Sequence, residues 1–175
     1  MLATDNSALT IAEYLASNHV TVESVVDRIA SIPVLPGWSE LPADQFPGAS
    51  QVLVCTGATA SGFTPNAVLT HGRLSDAVNP EELLDCAFTD SRRLPDWCDI
   101  ETSRVPYGHL QSAFIRGTFV IDDWILDATT RYVLSVAMDD IHLTQLTVTT
   151  LASRDEDLEM DVTVINLGLT ALCSR

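Results

Sequence analysis

Four histidines, four cysteines, a serine near a histidine and a run of acids are the side chains here whose chemistry could bind a metal, attack a carbonyl or move a proton. His19, His71, His109 and His142 stand alone, none with a histidine or cysteine at i+2 or i+4, so a zinc-type ligand set is not written into the chain. Cys55, Cys86, Cys98 and Cys173 form no CxxC pair and read as free thiols. Cys86 and Cys98 are near enough in sequence to be bridged in an oxidising compartment. Ser112, His109 and Asp122 supply the residue types of an acyl-transfer triad, yet no GxSxG turn is present to strain and expose a serine. Asp155, Glu156, Asp157 and Glu159 lack the DxDxDG spacing and central glycine of a calcium loop. The GATASG stretch at 57–62 has neither GK[ST] nor GxGxxG, and reads as a hairpin connection instead of a phosphate cradle. No catalytic, metal or cofactor residue is therefore assigned, and no cofactor is expected. The chain reads as a non-catalytic binding or interaction module. The alternatives are a small hydrolase working through Ser112 or a cysteine, and a carrier of an apolar small ligand held between sheet and helices.

One local cluster fits partner binding. Arg92, Arg93 and Trp97 follow one another where a helix is expected to end, and arginine and tryptophan are favoured at interface hot spots. The same cations also complement the negative end of a helix dipole. Charge sharpens the point: 24 acids against 9 bases give a net charge of −15, and every base is arginine. No nucleic-acid partner is expected and anionic lipid surfaces are poor partners, because affinity for them comes from cations that release counterions. A protein partner or an apolar small ligand remains.

The elements that must position these residues are legible from period and punctuation. Residues 10–19 predict a short helix, with Thr10 and Glu13 spaced as a capping box and Ile11, Tyr14 and Leu15 on one face. We read 20–32 as a strand, although Val22, Val25, Val26 and Ile29 also fit a helix. Prolines and glycines from Pro33 to Gly48 predict a loop in which Trp38 plugs the core edge. Residues 51–56 and the alternating 66–71 predict two strands paired antiparallel, and His71, just before Gly72, reads as a turn residue. Asn79 as N-cap, Pro80 as first helical residue and Glu81 and Glu82 at the positive end predict a helix. Its apolar stripe is Leu83, Leu84, Ala87 and Phe88, and Leu94-Pro95 stops it. Beyond it, 98–105, 109–122, 124–138 and 141–151 predict a meander turning at Asp122-Asp123 and Asp139-Asp140. The chain ends in a helix capped by Ser153, with Leu158, Val162, Ile165, Leu169 and Leu172 along one face.

At 175 residues this order makes one domain spanning 1–175, with 1–20 as an N-terminal helical extension. The fold class is α+β, a mainly antiparallel sheet flanked by helices, and free edge strands would allow a homodimer.

The stretches LPGWSELP, VLVCTG, PNAVLTHGRLSDAVNPEELLDCA and RRLPDW resemble the LpqN/LpqT family of mycobacterial and other actinobacterial proteins, many of them envelope lipoproteins. The likeness is strongest over 33–97 and rests on structural motifs. It implies a PsbP-like fold and a link to the cell envelope. No basic, apolar leader opens the sequence, and its first cysteine, Cys55, sits in a predicted strand, so lipid anchoring is not carried over. No apolar run is long enough for a transmembrane segment. A cytoplasmic location is expected, the alternative being an exported or envelope-associated protein whose leader has been removed.

Overall fold

In the computed structural model the described residues are 8–25, 30–137 and 139–170, with only the backbone at 154 and 155. Cys173, Leu172, Val26, Ile29, Met138 and the Asp155 side chain, all singled out in the sequence, lie outside them.

The chain runs α1 (Ile11–Ser17), β1 (Val22–Ser24), β2 (Ser39–Leu41), β3 (Gln51–Val54), β4 (Asn66–Leu74), α2 (Pro80–Arg92), β5 (Cys98–Ser103), β6 (Gln111–Ile121), β7 (Trp124–Ala137), β8 (Asp140–Leu151) and α3 (Asp155–Leu167). The strands form one antiparallel sheet in the order β2-β3-β4-β8-β7-β6-β5, with β1 beside the far half of β4. The β5–β8 meander starts at the far edge and works back to pair with β4. α2 is what carries the chain across that distance. The antiparallel α+β expectation holds.

Local chemistry sets the elements. Thr10 and Glu13 exchange both capping-box hydrogen bonds, and Asn79 accepts from the Glu81 and Glu82 amides with Pro80 in the first turn. Ile121 pairs with Trp124, leaving a two-residue turn in which Asp122 has φ 52°, a left-handed geometry that a short acid tolerates. Asp139 does the same, at φ 71°, before β8.

Three expectations change. The 20–32 segment contributes only β1 as regular strand, and Ala30 and Ile32 enter the core while Ser31 bridges Thr170. Ser153 lies inside a 3₁₀ turn, Ala152–Arg154, that runs straight into α3. α3 stops at Leu167 and Leu169 fills the core from beyond it, because the backbone must leave the helix to reach Ser31 and Gly168 packs against Pro33.

Side chains alternate between the two faces of the sheet. α1 and α2 cover one, where Ile11, Tyr14, Leu15, Leu83, Leu84 and Ala87 meet Leu74, Ala113, Tyr132, Leu134 and Leu143. α3 covers the other, where Leu158 and Ile165 meet Leu53, Leu69, Val133, Leu146 and Val148. Trp38 is buried there and its indole N–H donates to Asp161 Oδ2 at 2.9 Å, so it closes the core edge as expected. Cys86 and Cys98 are free thiols, one on α2 and one on β5.

Candidate functional site

A sheet seven strands across is about 30 Å wide, and one helix is only about 10 Å thick. Two helices share one face, but α3 alone lies over the other, seated towards β8, β7 and β4. The outer strands on the α3 side therefore stay uncovered. What remains is a cavity of about 810 Å³ between α3, the 105–108 turn and strands β5 to β7.

Strand register decides what lines it. Ser103, Phe114 and Arg131 face one another across β5, β6 and β7, as do Glu101, Arg116 and Thr129. These six line the floor. Val105, Pro106 and Tyr107 form one wall and Val162, Asn166 and Leu167 of α3 the other. The Tyr107 hydroxyl lies 2.7 Å from the Leu167 carbonyl and 2.9 Å from that of Leu169, and so ties the turn to the end of α3.

The two arginines in the floor differ. Arg116 reaches buried Asp127 with its Nε 3.2 Å from both carboxylate oxygens and Nη2 3.1 Å from Oδ2. Arg131 lies between two rings, its guanidinium carbon 5.0 Å from the centre of Tyr107 and 4.8 Å from that of Phe114. It donates to Ser112 Oγ at 3.4 Å, and its buried Nε has no partner among the described residues. Burial pulls its pKa below the usual guanidinium value. Asn166 donates to Thr129 Oγ1 and to the Val162 carbonyl, each at 3.0 Å, while its buried Oδ1 has no partner among the described residues. The site is thus a trough with apolar side chains on both walls and a polar floor, in which a ring-clamped arginine lies beside an arginine–carboxylate pair.

A second polar cluster lies on the same face nearer the opposite edge. His71 and His142 stack with centroids 5.3 Å apart and planes 2° from parallel. His71 Nδ1 is 2.7 Å from Thr144 Oγ1, and burial together with His142 pushes His71 down to about 4. Among the described residues His71 Nε2, His142 Nδ1 and Ser135 Oγ have no hydrogen-bond partner. His71 is therefore a buried strand residue and not a turn residue, because β4 continues through it to Leu74. Sequence spacing showed both histidines as isolated, since only the β4–β8 pairing brings them together. Among the described residues, no three His, Cys, Asp or Glu side chains converge as a metal site would require.

The other candidates separate or turn inward. Ser112 starts β6 and Asp122 lies just past its end, about 30 Å away at strand rise, so the residues of the triad are not assembled. Arg92 pairs with Asp99 at 2.7 Å, and the Trp97 indole donates to that same carboxylate at 2.6 Å. Trp97 also packs on Phe119 and fills the space where a side chain on Gly117 would stand. Arg93 points the other way, to Glu13 at 2.7 Å and the Ala8 carbonyl at 2.9 Å. That bond, with the capping contacts of Thr10, holds the Glu13 carboxyl at about 2.

The comparisons with known proteins agree with this architecture. The model of the family described as "Probable lipoprotein LpqN" matches residues 7–171. The proline-rich 28 kDa antigen of Mycobacterium tuberculosis is 29% identical over 124 residues, 71% of this chain and 40% of that protein. The chain thus spans about two fifths of the length of that curated relative. The putative lipoprotein LpqT of Mycobacterium leprae is 25% identical over 166 residues, 90% of this chain and 74% of its own length. Among solved structures, LpqN of Mycobacterium tuberculosis, described as involved in cell envelope biogenesis, superposes with a TM-score of 0.82 at 20% identity, covering 94% of this chain and 98% of that one. Cyanobacterial PsbP of Synechocystis gives 0.52 at 9% identity, over 98% and 97% of the two chains.

Proposed function

The chain belongs to the LpqN family of probable lipoproteins, and from that premise we propose that it is a non-catalytic binding module of the cell envelope that holds an apolar-chain ligand beside α3. The observation that carries this reading is the cavity of about 810 Å³. Its volume lies in the range of small-molecule sites, and its lining combines the apolar Val105, Pro106, Phe114, Val162 and Leu167 with placed polar and charged groups. The separation of Ser112 from Asp122 supports binding over hydrolysis. The envelope role rests on the lipoprotein names of the family and of LpqT, and on the envelope biogenesis ascribed to LpqN. These relatives speak for the envelope alternative and lend no support to the cytoplasmic expectation. Among the described residues no helix is long and apolar enough to cross a membrane.

The test is binding of an uncharged fluorescent apolar probe, N-phenyl-1-naphthylamine, to delipidated protein. Val162→Trp, which fills the cavity from its α3 wall, is expected to abolish saturable binding while the fold is kept. Saturable binding that survives this replacement places the ligand elsewhere, and no binding by the parent protein removes the proposal.

A further inference from the structure

We infer that the cavity beside α3 selects ligands carrying a single anionic group, a carboxylate or a phosphodiester, which pairs with Arg131 while an apolar chain lies along the walls. This rests on the cavity being the binding site, as proposed above.

The accounting of arginines carries the argument. Six arginine side chains are described: Arg73, Arg92, Arg93, Arg104, Arg116 and Arg131. The first five each hold a carboxylate within 4.0 Å, through Glu23 and Asp140, Asp99, Glu13, Glu81 and Asp85, and Asp127 respectively. Among the described residues Arg131 has none, in a chain whose 24 acids outnumber its 9 bases. No described carboxylate is in ion-pair contact with this half-buried guanidinium, Glu101 acting on it only through space and from an exposed position, so a ligand anion in direct contact is the missing partner.

Geometry supports the same occupant. Phe114 and Tyr107 fix the guanidinium plane, so little freedom remains to be lost when an anion binds. Arg116 is already neutralised by Asp127, which leaves one available positive charge in the floor. Glu101 and Glu159 line the cavity as exposed residues, where water weakens but does not remove their repulsion of an anion; Arg131 offsets it for one negative charge and leaves it unopposed for a second. Val105 and Leu167, on opposite walls, are 71% and 69% exposed, an apolar rim suited to a chain that extends out of the cavity.

The experiment is calorimetric titration of the delipidated protein with dodecanoate, dodecanol and dihexanoylphosphatidylglycerol, each below its micelle concentration at near-neutral pH. One or both anions are expected to bind at least about tenfold more tightly than dodecanol, as a charge-assisted pair would provide. Whether the carboxylate or the phosphodiester binds tells the two sources apart. Arg131→Gln should bring the affinity for both anions down to that of dodecanol measured on the same variant, and Arg131→Lys should keep part of the preference. If Arg131→Gln fails to fold, the preference of the parent protein and its decline at high salt still decide. Dodecanol binding as tightly as both anions overturns this inference and leaves the apolar-ligand reading standing. No binding of any of the three overturns both.

Discussion

The two faces of the sheet are built from the same strands and yet hold different things. The face under α1 and α2 is packed with hydrocarbon, and among its described sheet residues Thr130 is the buried polar side chain. The α3 face buries Gln51, His71, Ser112, Asp127, Thr129, Ser135, His142, Thr144 and Thr150. Two helices seal the part of their side that they cover, beyond which Asn66, Val68, Thr70, Gln145, Thr147 and Thr149 stay half-buried, and a single helix leaves the outer strands of the other side open over the cavity. A protein that needs only stability has no reason to bury polar groups on one face alone, since each needs a partner. The asymmetry separates a face whose sheet core is hydrocarbon from one that buries polar side chains and, over its outer strands, carries the cavity to which Thr129 contributes.

The most severe way to break that contrast is to open the sealed face. Leu84 is fully buried between α2 and the sheet, so Leu84→Ala should cost about 3 to 5 kcal/mol, seen as a lowered urea midpoint at unchanged slope. A cost under about 1 kcal/mol would mean that α2 does not seal this side.

Acid should act through the other face. His71 titrates from an ordinary 6.5 down to about 4 in the fold. Between those values the unfolded chain takes up a proton that the folded chain refuses, so stability is complete above this window and falls as pH drops through it. The loss should reach about 2 to 3 kcal/mol. His71→Gln, which does not titrate there, should flatten the pH dependence of the urea midpoint. An unchanged slope would assign the acid sensitivity to other groups.

Much of the scaffold was readable because its signals are local. Asn79-Pro80, the Thr10–Glu13 box and the paired aspartates each act within a few residues, and the structure uses all of them. The candidate site was hidden because it depends on pairing between distant segments. Arg131 becomes special only when β6 sets Phe114 beside it, Tyr107 folds over it and α3 stops short of the outer strands. The Arg92, Arg93 and Trp97 cluster shows the reverse. Its proximity was visible in sequence, but its links to Asp99 and Glu13 were not.

That cluster marks the rim of the sealed face, where Arg93 ties α2 to α1. Arg93 and Glu13 are both 44% exposed, so solvent screens the pair and Arg93→Ala should leave the urea midpoint close to that of the parent protein. A partner that grips this rim would be lost from Arg92→Glu/Arg93→Glu in a pull-down while the fold survives. A partner retained by that variant would make the arginines purely structural.

The mildest change tests the contrast most directly. Val162 sits on α3 like Ile165, but Ile165 is fully buried in the core whereas Val162 is half-buried and lines the cavity. Truncating Ile165 removes contacts on all sides. Val162→Ala removes methyl groups that already border open space, so it creates little new void and should cost about 0.5 kcal/mol. The cavity meanwhile widens, and affinity for an apolar chain should fall modestly as those contacts are lost. If Val162→Ala instead destabilised the fold as much as Leu84→Ala, the cavity would be closed in solution. The α3 face would then be a second sealed core, and the distinction between the faces would fail at the residue where it is easiest to measure.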